Sequence, residues 1–164
     1  MRRFRHALLI GIVILASNCQ PLRTPVESAH TVDGSDHAAL VQAAEHFLRV
    51  FDNMEWEAFQ TTWSTSPTVF FPFRDTPERV EGPAVAARFR AFFDEVRSTR
   101  PGPPYLRLHP QEFRAEVMGS TGFVTFMLGR APGNVSRRTL LFVRESGQWK
   151  LAHMHASNVE AARP

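Results

Sequence analysis

The 164-residue sequence contains one cysteine, Cys19, one tyrosine, Tyr105, and one lysine, Lys150. A lone cysteine excludes an internal disulfide, so the fold must hold by packing alone. It also excludes a thiol nucleophile, because Cys19 sits directly behind an apolar leader. There is no Gly-x-Ser-x-Gly elbow, no phosphate-binding glycine loop and no His-Glu-x-x-His pair, which leaves the hydrolase, nucleotide and zinc-protease mechanisms of those motifs without support. No aspartate occurs after Asp94. No internal repeat is visible, and no apolar run approaches the roughly 20 residues of a membrane span.

The apolar stretch that does exist is at the start. Arg2, Arg3 and Arg5 precede an unbroken series of apolar or small residues from Ala7 to Ala16, the layout of an export signal. Leu15-Ala16-Ser17-Asn18-Cys19 resembles a lipobox, with Asn18 where a smaller residue is usual; ordinary cleavage near Ala16 or Ser17 is the alternative. The expectation is therefore a signal peptide over 1–19, with Cys19 as the lipidation site, and an exported protein, either periplasmic or a membrane-anchored lipoprotein. Of the 19 Lys and Arg residues, three lie in this leader, and the remaining 16 match the 16 Asp and Glu residues that follow. The formal charge of +3 thus belongs to the leader and signals no nucleic-acid partner. Membrane contact is expected only through the N-terminal lipid.

Residues 20–35, with Pro21, Pro25 and Gly34 among polar side chains, read as a flexible tether. The rest, 36–160, suits a single domain. Asp36 is a good N-cap, and Leu40, Ala44, Phe47, Leu48 and Phe51 follow at helical spacing. Trp56, Phe59 and Trp63 repeat that spacing on a short second helix, ended by Ser66-Pro67. Val69-Phe70-Phe71 is a short strand placed at an edge or bulge by Pro72. Pro83 opens a third helix with the stripe Val85, Phe89, Phe92, Phe93 and Val96. After the Pro-rich loop Arg100–Pro104, strands are expected over Tyr105–Phe113, Phe123–Gly129, Arg137–Arg144 and Gln148–Val159, joined by short turns into an antiparallel meander. Helices first and an antiparallel sheet last give an α+β class with the helices on one sheet face. Phe123, Val124, Phe126, Met127 and Leu128 put apolar groups on both faces of one strand, so the face away from the helices wants a cover, which a homodimer would supply.

The last strand is the most informative element. Strict alternation along Trp149–Ser157 would point Trp149, Leu151, His153, His155 and Ser157 to one face. With Val80-Glu81-Gly82 before the Phe-rich third helix, the order α-α-β-β-α-β-β-β-β, and the ending Gly147-x-Trp149-x-Leu151-Ala152-His153-x-His155-x-Ser157, the chain resembles the SnoaL-like branch of the nuclear-transport-factor-2-like (NTF2-like) superfamily over about 37–160. The resemblance implies a strongly curved, cone-shaped antiparallel sheet wrapped around three helices, an apolar pocket at its open end, and dimers formed through the outer face of the sheet. It does not imply a reaction, since that superfamily holds isomerases, cyclases, dehydratases, binding proteins and oligomerisation modules. Its ketosteroid-isomerase branch uses a tyrosine and acidic residues in the pocket; Tyr105 follows a Pro-rich loop here, and the C-terminal strands carry no aspartate.

The candidate residues follow. His155 is the natural proton shuttle, with Asp75 as a carboxylate partner; Asp52 and Glu81 are alternatives, although Asp52 next to Asn53 also reads as a plain turn. Trp56, Trp63, Phe71, Tyr105, His153, Ser157 and Arg138 are the ligand-pocket set, with Arg138 as an anchor for a carboxylate. His153 and His155 have chelate spacing, but a metal needs a third ligand, for which only His109 offers itself; no metal and no cofactor are expected. Three functions fit these residues: an exported domain binding a small apolar ligand, a cofactor-independent acid/base enzyme of isomerase, cyclase or dehydratase type using His155, and a dimerisation module without ligand.

Overall fold

The computed structural model describes residues 34–129 and 134–160; the expected signal peptide, Cys19 and all but the end of the expected tether lie outside the described residues. The elements run α1 (Gly34–Asp52), α2 (Trp56–Thr61), β1 (Trp63–Phe70), β2 (Val80–Glu81), α3 (Pro83–Thr99), β3 (Pro110–Met118), β4 (Thr121–Gly129), β5 (Asn134–Glu145) and β6 (Gln148–Glu160). This is the order α-α-β-β-α-β-β-β-β and the α+β class that the sequence implies. The strands form one curved, open sheet in the order β2-β1-β6-β5-β4-β3. β3 to β6 make the antiparallel meander, while β1 returns to lie parallel to β6, a pairing that a short turn could not produce.

Both helical stripes face the sheet. Leu40, Ala44, Phe47, Leu48 and Val50 of α1 are buried, as are Val85, Phe89, Phe93 and Val96 of α3. The sheet meets them with a row that crosses all six strands: Val80, Val69, Met154, Leu140, Val124 and Ala115 are lateral neighbours in register. Between helices and sheet lies an aromatic cluster centred on Phe59, whose ring centroid is 5.6 Å from Phe47, 5.0 Å from Phe89 and 4.9 Å from Phe93. Such pairs add about 0.5–1.5 kcal/mol each beyond the area they bury.

Three local expectations are corrected. The second helix ends at Thr61, with Thr62 as its C-cap still in the helical region, and Trp63 already belongs to β1; the aromatic spacing simply runs on across this helix-to-strand junction. Pro67 therefore does not stop a helix but lies inside β1. It is tolerated because β1 bulges there: Trp63 pairs with Leu151 and Thr68 with His153, leaving Ser64–Pro67 out of the ladder. Finally, the first C-terminal strand begins at Pro110. Residues 105–109 are instead a loop held by Asp52, whose carboxylate accepts the N–H groups of Leu106 (2.9 Å), Arg107 (2.8 Å) and Leu108 (3.0 Å) while its carbonyl accepts that of Tyr105 (2.9 Å). Asp52 is thus the clasp between the end of α1 and the approach to β3, more than a turn residue.

Candidate functional site

The sheet decides where the histidines point. β6 carries one extra residue against β5: Phe142 pairs with Leu151, but Leu141 pairs with His153. Ala152 is the bulged residue, and a one-residue insertion reverses the alternation beyond it. Trp149 and Leu151 are accordingly buried on the helix side, as are Met154 and Ala156. His153, His155 and Ser157 fall on the opposite, outer face. The strictly alternating single face expected for the whole strand does not occur.

On that outer face His153 lies in a row with Glu81, Thr68, Leu141, Phe123 and Glu116 across all six strands. Its Nδ1 shares a hydrogen bond of 2.7 Å with the Thr68 hydroxyl. The Phe70 ring contacts both imidazoles, at 5.8 Å from His153 and 5.6 Å from His155. His155 is exposed. Burial, then the neighbouring His155 and Arg79, hold the His153 pKa below the usual imidazole value, against a smaller upward pull from Thr68. Among the described residues no group of three or more His, Cys, Asp and Glu side chains is arranged to hold a metal. His109 lies just ahead of β3, at the far edge of the sheet from β6.

A cleft lies on the other side of the sheet, between α2, the bulged part of β1 and the head of α3. It measures about 240 Å³ and is walled by Trp56, Phe59, Trp63, Val85 and Phe89, with Gln60, Ser64 and Thr65 as polar members. Pro67, Gly82, Pro83 and Ala86 also line it, and among the described residues no charged side chain does. Such a surface can bind by area and a few hydrogen bonds; among the described residues it holds no histidine or carboxylate.

The sequence-derived candidates therefore separate into several places. Trp56 and Trp63 meet in the cleft. Phe71 packs on the cleft residue Phe89 at 5.2 Å and carries Phe73 at 6.1 Å outside it. Tyr105 belongs to a second, more polar hollow with Arg100 and Arg107. Arg138 is on the helix-facing side of β5, between Phe126 and Ala156, and donates to the carbonyl of Arg137 at 2.8 Å. Asp75 is exposed, pairing with Arg88 at 3.4 Å and with Thr76. His153, His155 and Ser157 are on the outer face, and the fold does not bring His155 into the cleft or build an acid/base pair with Asp75 around it. Phe59, Ser64, Val85 and Phe89 were not among the expected pocket residues. A proline inside a β-rich run, Pro67, was the available signal that β1 bulges there and opens a hollow.

The lowered His153 pKa sets a pH dependence. The unfolded imidazole titrates near 6.5, so above that value both states are neutral and the full contribution is present. As pH falls toward the lower folded value, the unfolded state binds the proton first and stability is lost. The stability of the native chain relative to His153→Gln, measured by denaturant unfolding, is predicted to decline between pH 7.5 and pH 5; a difference that stays constant or grows would contradict this.

Comparison with known proteins agrees with the geometry. The family model described as the SnoaL-like domain matches residues 40–161. Among solved structures, a candidate dehydratase of the NTF2-like family from Streptomyces avermitilis superposes with a TM-score of 0.65 at 18% identity, covering 78% of this chain and 99% of that one. An NTF2-like protein of unknown function from Pseudomonas putida gives 0.65 at 14% identity, with coverages of 80% and 98%. The CaMKII hub of S. rosetta gives 0.59 at 20% identity, with coverages of 75% and 96%. No curated protein matches the sequence significantly. From the family match over residues 40–161 the chain belongs to the SnoaL-like domain family, and its order of elements and open curved sheet give it the fold of the NTF2-like structures.

Proposed function

We propose that the protein is an exported, lipid-anchored SnoaL-like domain that binds a small apolar ligand in the cleft between α2, β1 and α3. The observation that carries the reading is the composition of that cleft: four aromatic walls, an aliphatic one and, among the described residues, no charged side chain. The absence of a titratable lining favours binding over proton-transfer chemistry at this site. Acid/base turnover by His155 would have to occur on the outer face, where its closest aromatic neighbour is Phe70. Export and anchoring are supported by the basic, apolar leader ending at Cys19.

A second reading, a homodimer through the sheet, is supported by the outer face itself. Phe70, Phe123, Met127, Leu141 and Val143 are only half-buried there, in register beside Thr125, Thr139 and the histidines. An apolar strip of this kind is a common subunit contact.

Each part has its own check. Ala86 is exposed and lines the cleft, so Ala86→Phe should fill the cleft from outside the core. Binding of an apolar fluorescent probe such as anilinonaphthalene sulfonate should fall at least about tenfold, with the melting temperature shifted by no more than about 3 °C; unchanged probe binding would count against the cleft. Metabolic labelling with an alkynyl fatty acid should mark the wild type and not Cys19→Ser, and equal labelling would remove the anchor. In sedimentation velocity, Leu141→Arg should be monomeric where the wild type is dimeric; a monomeric wild type ends the dimer reading.

A further inference from the structure

Among the described residues three hydroxyl side chains are buried: Thr62, Ser64 and Ser136. Two are satisfied. Thr62 donates to the Phe59 carbonyl at 2.7 Å and Ser136 to the Asn158 side-chain oxygen at 2.6 Å. Ser64, at 8% exposure, has no hydrogen-bond partner among the described residues. Nor is its hydroxyl sealed in, since the fully enclosed unpartnered side-chain atoms are the indole nitrogens of Trp63 and Trp149. Ser64 is one of the residues that line the cleft. A buried hydroxyl left without a protein partner is unusual, and this one stands next in sequence to Trp63, whose buried N–H also lacks an acceptor.

The remaining boundaries of the cleft restrict what could answer the Ser64 hydroxyl. At about 240 Å³ it is smaller than the ~300–1,000 Å³ of drug-sized sites, yet larger than the ~150 Å³ hollow that accepts benzene. Trp56, Phe59, Trp63 and Phe89 favour a flat aromatic body. Among the described residues no cationic side chain lines the cleft, so an ionised carboxylate would lose its hydration without a countercharge there. Resting on the cleft as the ligand site, we infer that its occupant is a single-ring aromatic molecule bearing an uncharged oxygen acceptor, fixed by the hydroxyl of Ser64. Ser64 is then the residue that sets specificity, while the aromatic walls set affinity.

The test is calorimetric titration of the full chain with three probes of similar size: acetophenone, which has the ring and a neutral carbonyl, toluene, which lacks the oxygen, and benzoate, which is charged. Acetophenone should bind about tenfold more tightly than toluene, the equivalent of one hydrogen bond, and benzoate more weakly than acetophenone. Ser64→Ala should bring acetophenone down to the level of toluene and leave toluene within about twofold. Its melting temperature should not fall, because no bond within the protein is lost. If acetophenone and toluene bind alike, if Ser64→Ala weakens both equally, or if benzoate binds best, the inference is wrong although the cleft remains a ligand site. If none of the three binds, both the inference and the cleft reading fail.

Discussion

The arrangement of this domain turns on a single extra residue in its last strand. Without the bulge at Ala152, the alternation begun by Trp149 and Leu151 would carry His153, His155 and Ser157 into the core beside Phe59 and Phe89. Three polar side chains would then be buried against aromatic rings, each costing a few kcal/mol unless fully hydrogen-bonded. With the bulge, Met154 and Ala156 take those inward positions, and Met154 completes the apolar row that runs from Val80 to Ala115. The histidines are displaced to the outer face, where Thr68 and Phe70 of β1 receive them. One insertion therefore fixes the identity of both faces of the sheet.

A second irregularity opens the cleft. β1 leaves the ladder between Trp63 and Thr68, and its released residues, Ser64 to Pro67, stand off toward α2 and the head of α3. Gly82 donates its N–H to the Pro67 carbonyl at 2.8 Å, which ties the bulge to the start of α3. The positive φ of 55° at Gly82 is a conformation that other residues adopt with strain. The aromatic cluster then forms the floor, and Phe59 and Phe89 belong to both the core and the cleft wall. Binding and stability are coupled through those two rings.

Much of this was legible in the sequence and some was not. The stripes of α1 and α3 carried the helices, because apolar residues spaced three and four apart gather on one face only when the chain is helical. The terminal Gly-x-Trp motif and the element order carried the family. What eluded the pattern were departures from regularity. Nothing in Leu151-Ala152-His153 marks Ala152 as bulged, since a small residue fits a regular strand equally well, and the assignment of faces inverted after it. Trp63 kept helical spacing with Phe59 while already extended. Asp52 looked like a turn residue because the loop it clasps, 105–109, is more than fifty residues away in sequence. For the same reason Tyr105, Arg138 and Asp75 could be named as candidates but not assembled into one site.

The central claim is that the small-ligand site of this domain is the uncharged cleft on the helix side of the sheet, and that the histidine face serves another purpose. Amide and indole chemical-shift mapping of the full chain with acetophenone addresses it most directly. The account predicts shifts concentrated at Gln60, the Trp63 indole, Ser64 and Ala86, with His153, His155 and Phe70 unmoved. Shifts concentrated on the histidine face, with the cleft silent, would contradict it.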